Sequence, residues 1–153
     1  MAGTNRWRGD APAVAQVDTY TVTTYDVTST FNITINGKSI SQVGTGGTAT
    51  TTAAAMLLLL QATTVPQEFK EITWTQAAAV ITATAAKAGK PFTISTSVTG
   101  GTGSWVHSST TVSSGPHDVS TIANWSLVAL PVTGDAVVFD SGSSDALYGL
   151  ASL

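Results

Sequence analysis

The sequence predicts a mainly β protein with one helix, an α+β fold. The expected architecture is an antiparallel sheet or sandwich carrying a single packed helix and a short C-terminal β extension. Three observations predict it. Residues 31–35 alternate, with Phe31, Ile33 and Ile35 against Asn32 and Thr34, the period of a half-buried strand. Asn36-Gly37 follows at once, the pair that best tolerates the positive φ angles of a tight hairpin. The run Ala-Ala-Ala-Met-Leu-Leu-Leu-Leu at 53–60 then supplies the one convincing helix.

Composition sets the class. The 153 residues suffice for one domain, or one domain plus a short appended unit, and can bury a real core. Charged residues make up 10% of the chain, against a usual share of about 25%. The polar surface is therefore built mainly from Thr, Ser, Asn and Gly. Thr is the commonest residue and favours strands. A weakly charged, Thr-rich surface suits packing against neighbours and points to a permanent homo-oligomer.

Taken in order, residues 1–12 read as an N-terminal arm without periodicity, carrying Arg6, Trp7 and Arg8. A β-rich core domain with one helix is expected over 13–114. Its first strand lies near 16–24, a turn spans 25–29, and the hairpin covers 31–43. Gly44 to Gly47 is flexible. The threonines at 48–52 offer hydroxyl caps for a helix body at 53–62. Leu57 to Leu60 is apolar all round, which predicts a helix covered on more than one side. Val65-Pro66 stops it. Strands are expected at 69–74, at 78–85, from Phe92 through Ile94 to Val98, and at 105–112. Gly115-Pro116 breaks the pattern. Residues 115–153 read as a C-terminal β extension, a short helical turn and one or two strands. That segment is too short for its own core and must pack on the core domain or on a neighbouring subunit.

Net charge of −3 and a pI of about 5.0 give no electrostatic footprint for nucleic acid or for an anionic membrane. Cysteine is absent, which excludes disulfides, zinc thiolates and thiol nucleophiles. No secretory signal is visible at the N-terminus. The run 53–60 is far shorter than the roughly 20 residues of a membrane span.

Several motifs invite chemistry. Gly37-Lys38-Ser39 resembles the end of a phosphate-binding loop. Asn32 stands where that motif needs a glycine, and a strand follows where it needs a helix, so the hairpin turn is the better reading. His107 and His117, with Ser108, Ser109 and Asp118 nearby, sketch a Ser-His-Asp set without a nucleophile elbow. Glu68 and Glu71 are the only glutamates. Three apart at a strand start, they would point to opposite faces of the pleat, which argues against a carbohydrate hydrolase. Asp135, Asp140 and Asp145 are evenly spaced but lack the dense alternation of a calcium loop. Trp74, Trp105 and Trp125 read as core or interface anchors before a carbohydrate platform. Arg8-Gly9-Asp10 and the glycosylation-like Asn32-Ile33-Thr34 and Asn124-Trp125-Ser126 read as chance matches. No catalytic, cofactor or metal site is assigned.

Several blocks resemble a family of structural proteins of tailed bacteriophages and prophages. One is Trp7-Arg8-Gly9-Asp10-Ala11-Pro12-Ala13-Val14-Ala15-Gln16-Val17. A second is Phe31-Asn32-Ile33-Thr34-Ile35-Asn36-Gly37-Lys38-Ser39, with Pro66, Phe69 and the segment from Glu71 to Trp74. A third is Ala88-Gly89-Lys90-Pro91-Phe92. The last and most specific runs through Ala123-Asn124-Trp125-Ser126, Pro131, Gly134-Asp135-Ala136-Val137-Val138-Phe139 and Leu147-Tyr148-Gly149-Leu150. The resemblance implies a non-enzymatic virion component, a capsid decoration or cement protein, head-fibre-like, or part of a tail fibre. Its partners would be copies of itself and a major capsid or other virion protein. Longer relatives continue past the Tyr-Gly-Leu block, whereas this chain ends at Leu153, which favours a short capsid-associated role over an adhesin or tail-fibre attachment module. The candidate interface residues are Trp7, Arg8, Trp105, Trp125 and Tyr148.

Overall fold

The computed structural model describes residues 3–139 and Tyr148. The fold is mainly β with one substantial helix, and the chain divides into two compact units. One comprises Val17–Lys87 and Phe92–Thr111. The other comprises Met1–Gln16, Ala88–Pro91 and Val112–Leu153.

In the other unit the first strand, β1, spans Thr4–Trp7. Asn5 and Trp7 alternate inward and are both buried. The segment expected to be an arm is thus a strand, and it pairs in parallel with the last described strand, which joins Thr4 to Ala136 and Trp7 to Phe139. Its strand character was hidden because one of its two inward residues is polar. The Asn5 amide is matched inside: Nδ2 donates to the Ala129 carbonyl at 2.8 Å, and Oδ1 accepts from Leu127 N–H at 3.3 Å. The N-terminal segment and the extension beyond Val112 therefore form one unit together. Trp125 and Val119 are fully buried beside Trp7.

In the larger unit, β2 (Val17–Thr24), β3 (Thr30–Ile35) and β4 (Lys38–Val43) come first. Asp18, Tyr20 and Val22 point inward from β2, and Phe31, Ile33 and Ile35 from β3. The β3–β4 hairpin closes as its turn chemistry requires, with φ of 49° at Asn36 and 76° at Gly37. Gly44 ends β4 where a Cβ would lie 2.0 Å from the Asp26 carbonyl oxygen, so only glycine fits.

Helix α1 spans Ala49–Leu60, one turn earlier than the apolar run indicates. Thr48 is its N-cap, and its hydroxyl accepts from Thr51 N–H at 3.1 Å. Ala53, Met56 and Leu60 share the buried face at helical spacing. The expectation of a helix covered on more than one side is corrected: its buried residues share one face, and Leu58 is 72% exposed. The strand expected from Phe69 is also corrected. Pro66, at φ −55°, starts a one-turn helix, α2 (Gln67–Lys70). The strand, β5, begins only at Ile72 and runs to Ala77. Phe69 is buried from the helical turn, and Trp74 Nε1 donates to the Phe69 carbonyl at 2.9 Å.

Strands β6 (Val80–Ala85), β7 (Ser95–Thr99) and β8 (Ser104–Thr111) complete this unit. The four-stranded sheet has the order β5-β6-β2-β8 and the three-stranded sheet the order β4-β3-β7, all antiparallel. The inner faces of both sheets and the buried face of α1 share one hydrophobic core. In the other unit a 3-10 turn, η1 (Ile122–Asn124), precedes the final described strand, β9 (Ala136–Phe139).

Candidate interaction surface

Alternation that sends Tyr20, Phe31, Trp74 and Ile81 inward sends hydroxyl-bearing residues outward. On the four-stranded sheet, the register lines up Thr75, Thr82, Thr19 and Ser108 in one row across all four strands. Flanking rows are Thr73, Thr84, Val17 and Thr111, and Ala77, Val80, Thr21 and Val106. On the three-stranded sheet the rows are Ser39-Thr34-Ser95, Ser41-Asn32-Ser97 and Val43-Thr30-Thr99. None of these positions carries a charge. The low charge of the chain is therefore concentrated in two sheet faces.

Neighbours hold these side chains in place. Thr34 Oγ1 and Ser39 Oγ are 2.6 Å apart, and Ser41 Oγ donates to Asn32 Oδ1 at 2.6 Å. Thr23 Oγ1 and Ser104 Oγ are 2.7 Å apart, and Thr19 Oγ1 donates to the Ser108 carbonyl at 3.3 Å. Hydroxyls engaged in this way already have a hydrogen-bond partner within the sheet. Such a surface loses little on leaving water, because no charge must be desolvated.

The charges sit elsewhere. Lys38 Nζ donates to Glu68 Oε1 at 2.6 Å, and that bond holds the Glu68 carboxyl below its ordinary value. The phosphate-loop-like Gly37-Lys38-Ser39 is thus a hairpin end with an ion pair. Glu68 lies on α2 and Glu71 follows it, so neither stands on a strand as expected. Asp26 accepts from the N–H and hydroxyl of both Thr28 and Thr102. These bonds, those of the two N–H groups foremost, drive its carboxyl far below the usual carboxylate range.

His107 stacks on Tyr20, with ring centroids 4.9 Å apart, and its Nε2 lies 3.4 Å from Asp18 Oδ2. The Tyr20 hydroxyl donates to the same oxygen at 3.5 Å. Burial, then the Asp18 charge, pushes the Tyr20 phenol well above its ordinary range. The Ser-His-Asp set sketched from the sequence is divided: His107, Ser108 and Ser109 lie on β8, while His117 and Asp118 belong to the other unit. Asp118 instead closes a local turn by accepting from Ser120 N–H and the hydroxyls of Ser120 and Thr121. Asp135 accepts from Gly3 and Val132 N–H, and Asp140 and Asp145 lie outside the described residues. Among the described residues, no three acidic, His or Cys side chains converge as metal ligands.

Three of the candidate interface residues are packing anchors. Trp7 and Trp125 meet edge-to-face at 5.1 Å inside their unit. Trp105 is half-buried and meets Phe31 edge-to-face at 5.4 Å. Arg8 is exposed, and its backbone N–H donates to the Asn124 carbonyl at 2.7 Å. Tyr148 is half-buried and forms a bridge with Asp118; the rest of its Leu-Tyr-Gly-Leu block lies outside the described residues. Trp74 and Trp125 are buried and so present no carbohydrate platform. Sequence reasoning registered the threonine-rich rows only as a composition. Their signal was the Thr-x-Thr spacing at 19–21–23, 73–75 and 82–84.

An open groove of about 420 Å³ lies beside the end of α1, lined by Leu60, Gln61, Val65, Phe69, Lys70 and Trp74 among others. No helix among the described residues is long and apolar enough to cross a membrane. No protein-family model matches the chain, and no curated protein matches it.

Proposed function

We propose that this protein is a non-enzymatic structural component of a bacteriophage virion. It decorates or cements the capsid through homo-oligomeric contacts and through contacts with a major capsid or other virion protein. The observation that carries the reading is the pair of uncharged, hydroxyl-lined sheet faces. Protein interfaces are depleted of charge at their centres, and buried hydroxyls find partners there at little cost. A solitary soluble domain keeps itself apart from its neighbours with a densely charged surface, and these faces have none. The phage-like sequence blocks supply the particular assembly. Particles made without the protein should lose resistance to heat or to chelators, or lose surface density. Particles indistinguishable from the wild type contradict the reading.

A second reading is an adhesin or tail-fibre attachment module. One observation favours it, the groove beside α1, lined by polar Lys70 and Gln61 together with apolar Leu60 and Val65. Binding of cell-surface glycans by the isolated protein, lost on Lys70→Ala, would support that reading.

A further inference from the structure

Strand β8 carries an unusual exposure pattern. The five residues from Val106 to Thr110 are exposed in succession, so both faces of the strand meet solvent there. Among the described residues β8 pairs with β2 alone, which leaves its other edge without a strand. Edges of this kind are normally blunted with Lys, Pro or inward charges. The sequence Ser-Trp-Val-His-Ser-Ser-Thr-Thr contains no Lys or Pro and no acidic residue, and its one bulge, at Thr110, leaves the run from Trp105 to Ser109 regular. By contrast, β4 begins at Lys38, whose ammonium is paired with Glu68.

We infer that the free edge of β8 is the self-association site of this protein, pairing antiparallel with β8 of a second copy about a two-fold axis at Ser108. This deepens the homo-oligomeric reading given above and rests on it for the expectation of self-contact. The occupant follows from three features. An antiparallel two-fold pairing is self-complementary, so one edge satisfies the backbone groups of both copies. Ser108 is the centre of the exposed run and ends the row Thr75-Thr82-Thr19-Ser108. Centring there makes that row continue, hydroxyl by hydroxyl, into the same row of the second copy. The same register sets His107 opposite Ser109, so no imidazole faces another, and the regular pairing ends at the Thr110 bulge. A register centred on His107 would oppose the two rings.

The test uses the absence of cysteine, because any introduced thiol is then the only one in the chain. Opposed residues of an antiparallel pair have Cα atoms about 4.5–5.5 Å apart, within the span a disulfide bridges. Ser108→Cys under mild oxidation should convert most of the protein to a covalent dimer. Thr75→Cys, at the opposite edge of the same sheet, should stay uncrosslinked. Val106→Lys should keep the wild-type circular dichroism and raise the dimer dissociation constant at least tenfold in ultracentrifugation. If the wild type is oligomeric but Ser108→Cys does not crosslink, or Thr75→Cys does so instead, edge pairing is overturned while the homo-oligomer stands. A wild type that sediments as a monomer at all concentrations overturns both.

Discussion

The backbone N–H of Ala11 donates to Oδ1 of Asn124 at 2.8 Å, across 113 positions of sequence. The Asn124 amide nitrogen donates in turn to the carbonyls of Gly115 and Asp118, at 2.7 and 2.9 Å. One fully buried side chain thus ties three backbone segments of its unit together. Asn124→Ala leaves the Ala11 N–H unpaired and takes one of two donors from each carbonyl, since Asp118 N–H also bonds the Gly115 carbonyl and Thr121 N–H the Asp118 carbonyl. It should destabilise the protein by about 1–3 kcal/mol. Urea unfolding followed by tryptophan fluorescence measures this. A loss below about 1 kcal/mol would show that water replaces the amide freely.

The β5–β6 hairpin offers the opposite case. Ala77 pairs with Val80, so Ala78 and Ala79 form the turn, and Ala78 sits at φ 50°. A left-handed conformation costs a residue with a Cβ roughly 1–2 kcal/mol, and glycine escapes that cost. Ala78→Gly should therefore leave stability unchanged or raise it by up to about 1 kcal/mol, less than the strain because glycine also loses more entropy on folding. Gly37→Ala, at φ 76°, should lower it by about 1 kcal/mol. Only Gly37→Ala should lower the melting temperature, and thermal melts of the pair check the turn geometry.

Acid should act through Asp26. Its carboxyl is held far below the usual range by the Thr28 and Thr102 donors. A depressed carboxylate stabilises the fold above the unfolded-state pKa of about 4, and that contribution is lost as pH falls through the folded value. Asp26→Asn should lower the melting temperature at pH 7 and flatten its decline between pH 4 and 2. A variant that declines as steeply as the wild type would remove Asp26 as the source.

Alkali should act through Tyr20. Burial, with the Asp18 charge behind it, keeps the phenol protonated above its ordinary pKa of 10.0. A raised value contributes fully below the unfolded pKa and loses that contribution as pH rises beyond it. Tyr20→Phe should therefore lose less stability than the wild type between pH 9 and 11. Equal alkaline slopes would contradict this placement of the charge.

Local chemistry made much of the fold legible. Asn36-Gly37 specifies a turn, and the alternation around Phe31 specifies a strand, because both signals lie within a few neighbours. Helix α1 was readable from its apolar run, though its true start depended on the Thr48 cap. Strand β1 was not readable, since the burial of Asn5 depends on carbonyl and amide partners more than a hundred residues away. Helix α2 was missed because the six residues from Phe69 to Trp74 fit a strand as well as a turn. The order that sets β2 between β6 and β8 is a property of long-range pairing. For that reason the hydroxyl rows, which arise only when Thr19, Thr75, Thr82 and Ser108 are brought abreast, showed beforehand as threonine content alone.

In the function proposed above, the uncharged sheet faces are what this protein packs into an assembly. The direct measurement is retention of the protein on virions when one lysine is placed at an exposed position of each face, Thr75→Lys on the four-stranded sheet and Ser95→Lys on the three-stranded sheet. Exposed substitutions of this kind change stability by about 0.5 kcal/mol or less, so the variants should fold. At least one variant should keep the wild-type circular dichroism and melting temperature yet be lost from particles on sedimentation. Retention of both variants and of the double variant at wild-type occupancy would contradict it.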